Sequence, residues 1–376
     1  MRLNGPRGSA AAATVLVLLL SACASSDKGS LGDGSAPATT SYPSGSLRSI
    51  PENIYKRPSR PAPIAGGVLV QASLDGSAVF AAQEDDRFGD PGCEGAPEPV
   101  LFRQPVDGGA RQLLGDGKLA LNGMLIRSSR AEVALVQQCE GFFTGLLIGT
   151  ETAEGRLEDM KALALELPGD SLPSPGSFAW SADGSRLLAA PEQEVAGGAL
   201  PGILEIDPGT GAVRRLFDLR GRNGITQVSQ AKNGAYLVAA GGKVTFHDDK
   251  GVLKETYEGR GFSISPDGRD IAVFGRGLTV VPADGVSAST FIAVPEGQIA
   301  SARFSPDGRG IACVSAGSGS DSHLWVITPE DQNVSIVAGP AQLGRAYFSG
   351  DGKKLLFNEF TGVPDFASKV VAISFG

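Results

Sequence analysis

Short apolar runs alternate with turn-forming residues along most of this chain. One phrase marks the pattern: an apolar run ends in Ser-x-Asp-Gly and a second apolar run follows, most clearly over 304–312 (FSPDGRGIA) and 262–272 (FSISPDGRDIA). Asp tolerates a tight turn and Gly supplies a positive φ without steric cost, so this arrangement predicts a β-hairpin. A third and a fourth apolar run follow in each copy, separated by a second turn such as 207–211. Each copy therefore predicts one four-stranded antiparallel sheet.

The phrase returns seven times at intervals of about 35 to 55 residues, which is the spacing of β-propeller blades. The predicted fold is all-β: a seven-bladed β-propeller of four-stranded antiparallel blades. The blades are expected to start near residues 66, 121, 176, 224, 260, 299 and 344. The segment 157–167, the best helical candidate, is interpreted as an outer strand of the second blade. The expected structural turn residues are Asp75, Asp183, Asn233, Asp267, Asp307 and Asp351, with a worn copy of the phrase at 126–130.

The last repeat contains only three apolar runs before the chain stops at Gly376. An N-terminal strand is expected to supply the fourth, because closure of the ring removes exposed sheet edges. The expected position of this strand is 47–55, and the Pro-rich segment 57–63 would then bridge it to the first blade. The alternative is a three-stranded final blade.

The phrases at 304–308 and 265–268 resemble the WD40-like (PD40) propeller repeat of the family typified by the C-terminal domain of the periplasmic protein TolB. The resemblance covers most of 66–375 and implies a propeller fold. It implies no activity, since propellers host hydrolases, lyases, receptors and scaffolds. TolB also carries an α/β domain before its propeller. Here a low-complexity linker stands in that place, which argues against a true TolB.

The first 23 residues have the features of a bacterial lipoprotein leader. Arg2 and Arg7 precede an apolar stretch, 10–20, that is too short to span a bilayer, and 20–23 (LSAC) matches the lipoprotein box. We predict a signal peptide over 1–22, lipidation of Cys23, a flexible tether over 23–46 and the propeller over 47–376. The alternative is a plain signal peptide with a stray cysteine.

The leader implies an extracytoplasmic, lipid-anchored protein. Ala24 follows the cysteine where an Asp would favour inner-membrane retention, so the expected location is the outer membrane in a Gram-negative host. In a Gram-positive host it would be the outer face of the cell membrane. Removal of 1–22 takes away two arginines and no acid, so the net charge falls from −8 to −10. An acidic surface disfavours nucleic acid as a partner.

Cysteines at equivalent places in adjacent blades suggest a disulfide. Cys93 and Cys139 both precede Glu-Gly, both follow a predicted second strand, and exported proteins retain disulfides. We predict a Cys93–Cys139 bond; the alternative is two free thiols. Cys313, within the apolar run 310–314, is interpreted as a small buried hydrophobe.

The chain offers no recognisable catalytic constellation. Its two histidines, His247 and His323, lack the spacing of a zinc site, and no Gly-x-Ser-x-Gly or Walker motif occurs. The acidic segment 84–90 lacks EF-hand spacing and is interrupted by Arg87, so it is interpreted as a solvated loop rather than a calcium site. No catalytic residue, metal or cofactor is therefore predicted.

Two surfaces remain as candidate sites. The long loops after the second strands share one face by propeller geometry, and long loops on a rigid scaffold often carry function. The candidate binding face consists of Phe88, Phe142, Phe143, Phe360 and Phe366. The alternative is that these rings cap their own blades.

The second surface is one mouth of the central channel. Arg260, Arg303 and Arg345 come just before, or at the start of, consecutive first strands, where they could attract an anionic ligand. The alternative is that they are scattered surface charges.

The sequence thus favours a membrane-anchored, extracytoplasmic propeller that binds an envelope protein or a glycan without catalysis. The alternative is a propeller enzyme, of the lactonase, lyase or hydrolase type, that acts at the channel mouth. A third possibility is a structural component of a larger envelope complex.

Overall fold

Antiparallel strand pairing forms the regular structure of the chain. The computed structural model describes residues 59–66, 68–73, 77–89, 97–106, 109–113, 122–127, 132–139, 142–152, 156–167, 173, 177–191, 202–219, 224–283, 287–294, 298–316, 322–361 and 367–375. These residues contain strands and no α-helix. No helix among them is long and apolar enough to cross a membrane. The predicted leader, the tether and Cys23 lie outside the described residues.

In the described part of the chain, five separate four-stranded sheets follow one another, each with its strands in sequence order. The first sheet has β2 (Val68–Ala72), β3 (Ala78–Gly89), β4 (Pro97–Pro105) and β5 (Gln112–Leu113), and the second has β6 (Asn122–Arg127), β7 (Glu132–Cys139), β8 (Phe142–Glu151) and β9 (Leu157–Ala162). The third sheet has β10 (Ala179–Trp180), β11 (Leu187–Ala189), β12 (Gly202–Ile206) and β13 (Val213–Asp218). The fourth has β14 (Ile225–Gln230), β15 (Tyr236–Ala240), β16 (Lys243–His247) and β17 (Leu253–Glu258), and the fifth has β18 (Gly261–Ile264), β19 (Asp270–Phe274), β20 (Leu278–Pro282) and β21 (Thr290–Ile292).

The remaining strands form one seven-stranded sheet, called the joined sheet. Its strands are β22 (Gln298–Phe304), β23 (Ile311–Ala316), β24 (Ser322–Thr328), β25 (Asn333–Phe348), β26 (Lys354–Thr361), β27 (Ala367–Ser374) and β1 (Ala62–Gly66). We predicted seven separate blades, and the structure separates five. The reason is β25, which is continuous: residues 333–341 pair with β24 and residues 342–348 pair with β26.

The N-terminal strand β1 takes the edge of the joined sheet beside β27, with Ala62 opposite Ala372 and Gly66 opposite Lys369. Ser59 extends the pairing, because its N–H donates to the Ser374 carbonyl at 2.7 Å and its hydroxyl oxygen accepts from the Ser374 N–H at 2.8 Å. The expected closing segment, 47–55, lies outside the described residues. The observed strand instead uses the end of the Pro-rich segment that we interpreted as a bridge.

Burial along the strands explains the apolar runs. Every residue of β11 and β15 is buried, whereas five of the six residues of β17 are exposed. Strands buried on both faces appear in a sequence as continuous apolar runs, while outer strands keep polar positions. The core accordingly lies between neighbouring sheets: Phe246 of β16 packs in one cluster with Phe262 of β18, and Leu69 of β2 with Leu356 of β26.

The first strands of the repeats contact one another in a closed ring. Contacts run from β2 to β6, β10, β14, β18, β22 and β25, and return from β25 to β2. In a propeller the innermost strands surround a central channel. This ring therefore positions the channel.

Candidate functional site in the central channel

The Ser-x-Asp-Gly phrase forms a hydrogen-bonded turn. The Ser265 hydroxyl donates to the Asp267 carboxylate at 2.7 Å and accepts from the Asp270 N–H at 2.9 Å, and the Asp267 carboxylate accepts from the Arg269 N–H at 3.0 Å. Gly268 has φ of 74°, a left-handed conformation that favours glycine. The same Ser-to-Asp bond occurs at Asp183, Asp307 and Asp351. These aspartates close hairpins on the face opposite the long loops.

The turn carboxylates have lowered pKa values where a shift is resolved. The Ser265 hydroxyl and then the Arg269 N–H hold the pKa of Asp267 below its ordinary value, because both donate to the ionised form. For Asp351, burial acts to raise the pKa, but bonds from Ser349 and the Lys353 N–H outweigh it and lower the pKa. These shifts follow from turn geometry.

The turn at Asn233 is one residue shorter and has Ala231 in place of serine. The Asn233 side chain accepts from the Ala235 N–H at 3.0 Å and donates to the Ala283 carbonyl at 2.7 Å, which links two neighbouring sheets. The remaining predicted turn residue, Asp75, lies outside the described residues.

The phenylalanines of the candidate binding face do not form one exposed surface in the described part of the chain. Phe143 is 9% exposed and stacks on Phe178 with ring centroids 5.4 Å apart, so it belongs to the core between the second and third sheets. Phe360 is half-buried, with its ring over Gly344. Phe88 lies in β3 and Phe142 begins β8, but their side chains lie outside the described part, as does all of Phe366. Phe143 is thus corrected from a binding residue to a packing residue.

The histidines occupy third strands of different sheets and serve packing. His247 is 5% exposed, lies 2.9 Å from the Thr245 hydroxyl through Nε2, and stacks on Phe217. His323 is tilted against Trp325. Among the described residues, no group of three or more His, Cys, Asp or Glu could hold a metal ion.

A cleft of about 420 Å³ is lined by turn residues such as Asn233 and Asp249 and by strand residues that include His247. Its best-placed acid, Asp248, accepts from the Lys250 and Val252 N–H groups and forms an ion pair with Lys254 at 2.9 Å. The bond from Lys254 is the main reason that the pKa of Asp248 is lowered. Because this carboxylate is already bonded to these three groups, we interpret the cleft as part of the turn structure and not as a ligand site.

Arg303 lies on the wall of the central channel. Arg303 lies in β22, one of the strands of the central ring, and its guanidinium lies 5.7 Å from the ring centroid of Tyr347 in β25, the next strand of the ring. The side chain is exposed to water, yet burial lowers its pKa because protein surrounds it. A side chain that is both wet and enclosed fits a position inside the channel.

The three predicted arginines lie at different positions along their strands. Arg260 comes just before β18, Arg345 lies within β25, and Arg303 is the sixth of the seven residues of β22. At about 3.3 Å per residue, they occupy different heights along the channel. Arg345 is still close enough that its charge contributes to lowering the pKa of Arg303. Of the three, Arg303 lies nearest the hairpin-turn end of its strand, and a shared mouth stays a prediction.

Sequence reasoning missed the residues around Arg303. Arg303 lies two positions before the turn serine, and the equivalent positions in the other described repeats form what we call the channel ring: Gln71, Ala179, Ser229, Ser263, Arg303 and Tyr347. Ser263 contacts the next strand, since its hydroxyl oxygen accepts from the Phe304 N–H at 3.3 Å. Alignment of the repeats on their serines would have revealed this ring.

Side-chain hydrogen bonds also connect neighbouring first strands. The Gln227 amide donates to the Phe262 carbonyl at 2.9 Å and accepts from the Phe262 N–H at 3.1 Å, as a neighbouring strand would. The Trp180 indole N–H donates to the Ile126 carbonyl at 3.2 Å. These bonds fix first strands against each other and so give the channel wall a defined shape.

The cysteines have separate surroundings. Cys313 in β23 is fully buried and free, and burial raises the pKa of its thiol. Cys139 ends β7 opposite Phe142, while Cys93 and the side chain of Cys139 lie outside the described residues. The predicted disulfide stays a prediction.

Comparison with solved structures supports the fold. The chain is similar to an oligogalacturonate lyase from Vibrio parahaemolyticus, with a TM-score of 0.58 and 10% identity over 83% of this chain and 91% of that one. It is equally similar to an oligogalacturonate lyase in complex with manganese, with a TM-score of 0.59 and 9% identity over 83% and 90% of the two chains. At such identity the likeness shows the fold alone, and it confirms the predicted all-β propeller.

Sequence comparisons add little. The doublecortin family matches residues 205–246, far less than half of the chain, and this segment crosses from β12 in the third sheet to β16 in the fourth. It therefore does not place the chain in that family. No curated protein matches the chain.

A manganese centre does not fit the described residues. His247 and His323 lie in different sheets, each is engaged in packing, and neither lies on a strand of the central ring. The described part of the channel ring contains no carboxylate or imidazole. The cation that this part of the channel does offer is Arg303.

Proposed function

We propose that this protein is an exported propeller enzyme that acts on an acidic oligosaccharide in its central channel, as a lyase does. The observation that carries the proposal is Arg303, a channel arginine without an acidic partner among the described residues. A guanidinium matches the geometry of a carboxylate, and neutralising a sugar carboxylate would acidify the adjacent C–H that elimination must break. The fold likeness to two oligogalacturonate lyases supports the same substrate class.

The proposal is tested by incubating the purified protein with oligogalacturonates and following the ultraviolet absorbance of unsaturated products. Binding is measured in parallel by calorimetry, with neutral malto-oligosaccharides of equal length as the control. We expect binding and cleavage of the acidic series only. Equal affinity for both series, or no binding of either, would contradict the proposal.

We also propose that the propeller has seven blades. The two halves of β25 pair with different neighbours, so the joined sheet divides into β22, β23, β24 with 333–341, and 342–348 with β26, β27 and β1. Among the described residues, seven first strands form the ring of contacts and the buried side chains form seven clusters. A crystal structure of the propeller tests the count.

We propose the lipid anchor from the sequence of the leader. Cys23 would carry the lipid, 23–46 would form the tether, and the propeller would work outside the cytoplasm. Mass spectrometry of the mature N-terminus should find acylated Cys23, and Cys23→Ser should release the protein from membranes. A mature N-terminus without lipid would refute the anchor but not the export.

Binding of an envelope protein is the second candidate function. The observation that favours it is a set of exposed apolar side chains on the outer strands of consecutive repeats: Leu253, Phe291 and Ile336 are 48%, 57% and 55% exposed. Crosslinking in intact envelopes, with Phe291→Ser/Ile336→Ser beside the wild type, tests it. A partner captured by the wild type and lost in the double variant would support this function, and equal capture would move the interface elsewhere.

A further inference from the structure

Arg303 differs from the arginines near the third sheet. In the third sheet, Arg186 forms an ion pair with Asp207 at 2.6 Å, Arg214 with Glu205 at 2.7 Å and Arg215 with Asp218 at 3.0 Å. The chain has 41 acidic residues, so partners are plentiful. Among the described residues none lies within ion-pair distance of Arg303, whose recorded contact is the face of Tyr347.

The surroundings of Arg303 favour an added anion. Burial lowers its pKa first, and repulsion from Arg345 acts in the same direction, while Tyr347 favours the charged form without outweighing burial. An enclosed charge without a counter-charge is costly, and the low-dielectric channel wall strengthens its attraction for an anion. The attraction of a bound oxyanion would offset both the cost of burying the charge and the repulsion from Arg345.

The channel ring supplies a second donor and a wall. The Ser263 hydroxyl, 7% exposed, accepts from the Phe304 N–H, and its own proton has no acceptor among the described residues. Ser263, Arg303 and Tyr347 occupy equivalent positions in three consecutive repeats and therefore lie at similar heights in the channel. A hydroxyl donor and a guanidinium suit one carboxylate, and the buried ring of Tyr347, 7% exposed, supports the guanidinium from the protein side.

We propose that Arg303, with Ser263 and Tyr347 beside it, forms a metal-independent oxyanion site in the channel. It binds the carboxylate of the ligand without a divalent cation. The carboxylate assignment rests on the proposed function. The oxyanion site does not, because free phosphate presents the same chemistry.

The test uses the purified full propeller after dialysis against a chelator, titrated with D-galacturonate, inorganic phosphate or glucose. We expect galacturonate to bind without metal, glucose not to bind, and Arg303→Gln to weaken anion binding at least about tenfold, since bonds to a charged group are among the strong ones. Arg303→Lys should restore part of the affinity. Arg276→Gln, an exposed arginine between β19 and β20, is the charge-matched control and should change nothing.

A thermal-shift experiment keeps the inference testable without activity. Phosphate should raise the unfolding temperature of the wild type and of Arg276→Gln, but not of Arg303→Gln, which should fold normally because it loses an uncompensated charge. A phosphate shift without galacturonate binding would keep the oxyanion site and remove the carboxylate assignment.

Loss of anion binding in Arg303→Gln, with no cleavage of oligogalacturonate by the wild type, would support the oxyanion site and contradict the lyase proposal. Anion binding that requires added Mn²⁺, or that survives in Arg303→Gln, would overturn the inference.

Discussion

Asn358 in β26 holds Leu69 in β2 through a hydrogen bond across 289 residues of chain. The Leu69 N–H donates to the Asn358 side-chain oxygen at 2.8 Å, and Asn358 is 2% exposed. Because β2 is the first strand of the first sheet and β26 belongs to the last, this bond joins the two ends of the ring. It complements the β1–β27 pairing, which closes the same boundary through the backbone.

Replacing Asn358 by Ala should destabilise the propeller by about 1–3 kcal/mol, because the buried Leu69 N–H would lose its acceptor. Urea unfolding followed by tryptophan fluorescence measures the change. Asn333→Ala, at a partly exposed turn, is the matched control and should cost no more than about 0.5 kcal/mol. Equal midpoints for the two variants would show that Asn358 contributes nothing special to closure.

Ser305→Ala should also cost about 1–3 kcal/mol. The Ser305 hydroxyl is fully buried and accepts from the buried Gly310 N–H at 2.8 Å, so its removal leaves that donor unsatisfied. The chain provides a natural control in Ala231, whose shorter turn closes with an Ala231 N–H bond to the Ala235 carbonyl. Ala231→Ser should therefore gain no stability in the same urea experiment. A gain there, or no loss in Ser305→Ala, would contradict this account of the turn.

The hairpin phrase made the propeller predictable, because Ser-x-Asp-Gly encodes its own local hydrogen bonds and needs no distant partner. The closing strand was not predictable in the same way. Pro63 lies within β1 opposite Val371, and proline is tolerated there because β1 is an edge strand. A Pro-rich segment therefore resembled a linker in sequence although it pairs in the structure.

The candidate site was predicted only in part. Arg303 was singled out from its place near a first strand, but its height in the channel depends on a register irregularity between Ile299 and Ser301 that no local pattern announces. Phe143 was assigned to a loop face because it follows a second strand. Its burial depends on Phe178, which belongs to the next repeat.

Stability should fall as the pH is lowered, and Asp267 should account for part of that fall. Its folded pKa lies below the ordinary value because the Ser265 hydroxyl and the Arg269 N–H donate to the carboxylate. A lowered pKa contributes stability that is present above the unfolded pKa and is lost as the pH drops through the folded pKa. Asp270 opposes this effect, since burial and then the Asp267 charge raise its pKa.

Thermal unfolding from about pH 6 to about pH 2 tests this contribution. Asp267→Asn should be less stable than the wild type at neutral pH, and the difference should shrink towards the acid end. Asp249→Asn, at an exposed turn, is the control and should track the wild type throughout. A constant difference across the range would assign the loss to turn geometry rather than to the charge.

Cys313 should react with thiol reagents only when the propeller unfolds. It is fully buried in the core between the fifth sheet and the joined sheet, and burial disfavours the reactive thiolate. A chain that begins after Cys23 should therefore show no reaction at Cys313 in its native state. In denaturant it should show one if the predicted Cys93–Cys139 bond forms and three if it does not. Addition of a reductant before denaturation should give three in either case, and Cys313→Ala should lower each denatured count by one. Fast native labelling that maps to Cys313 would contradict the burial of this strand.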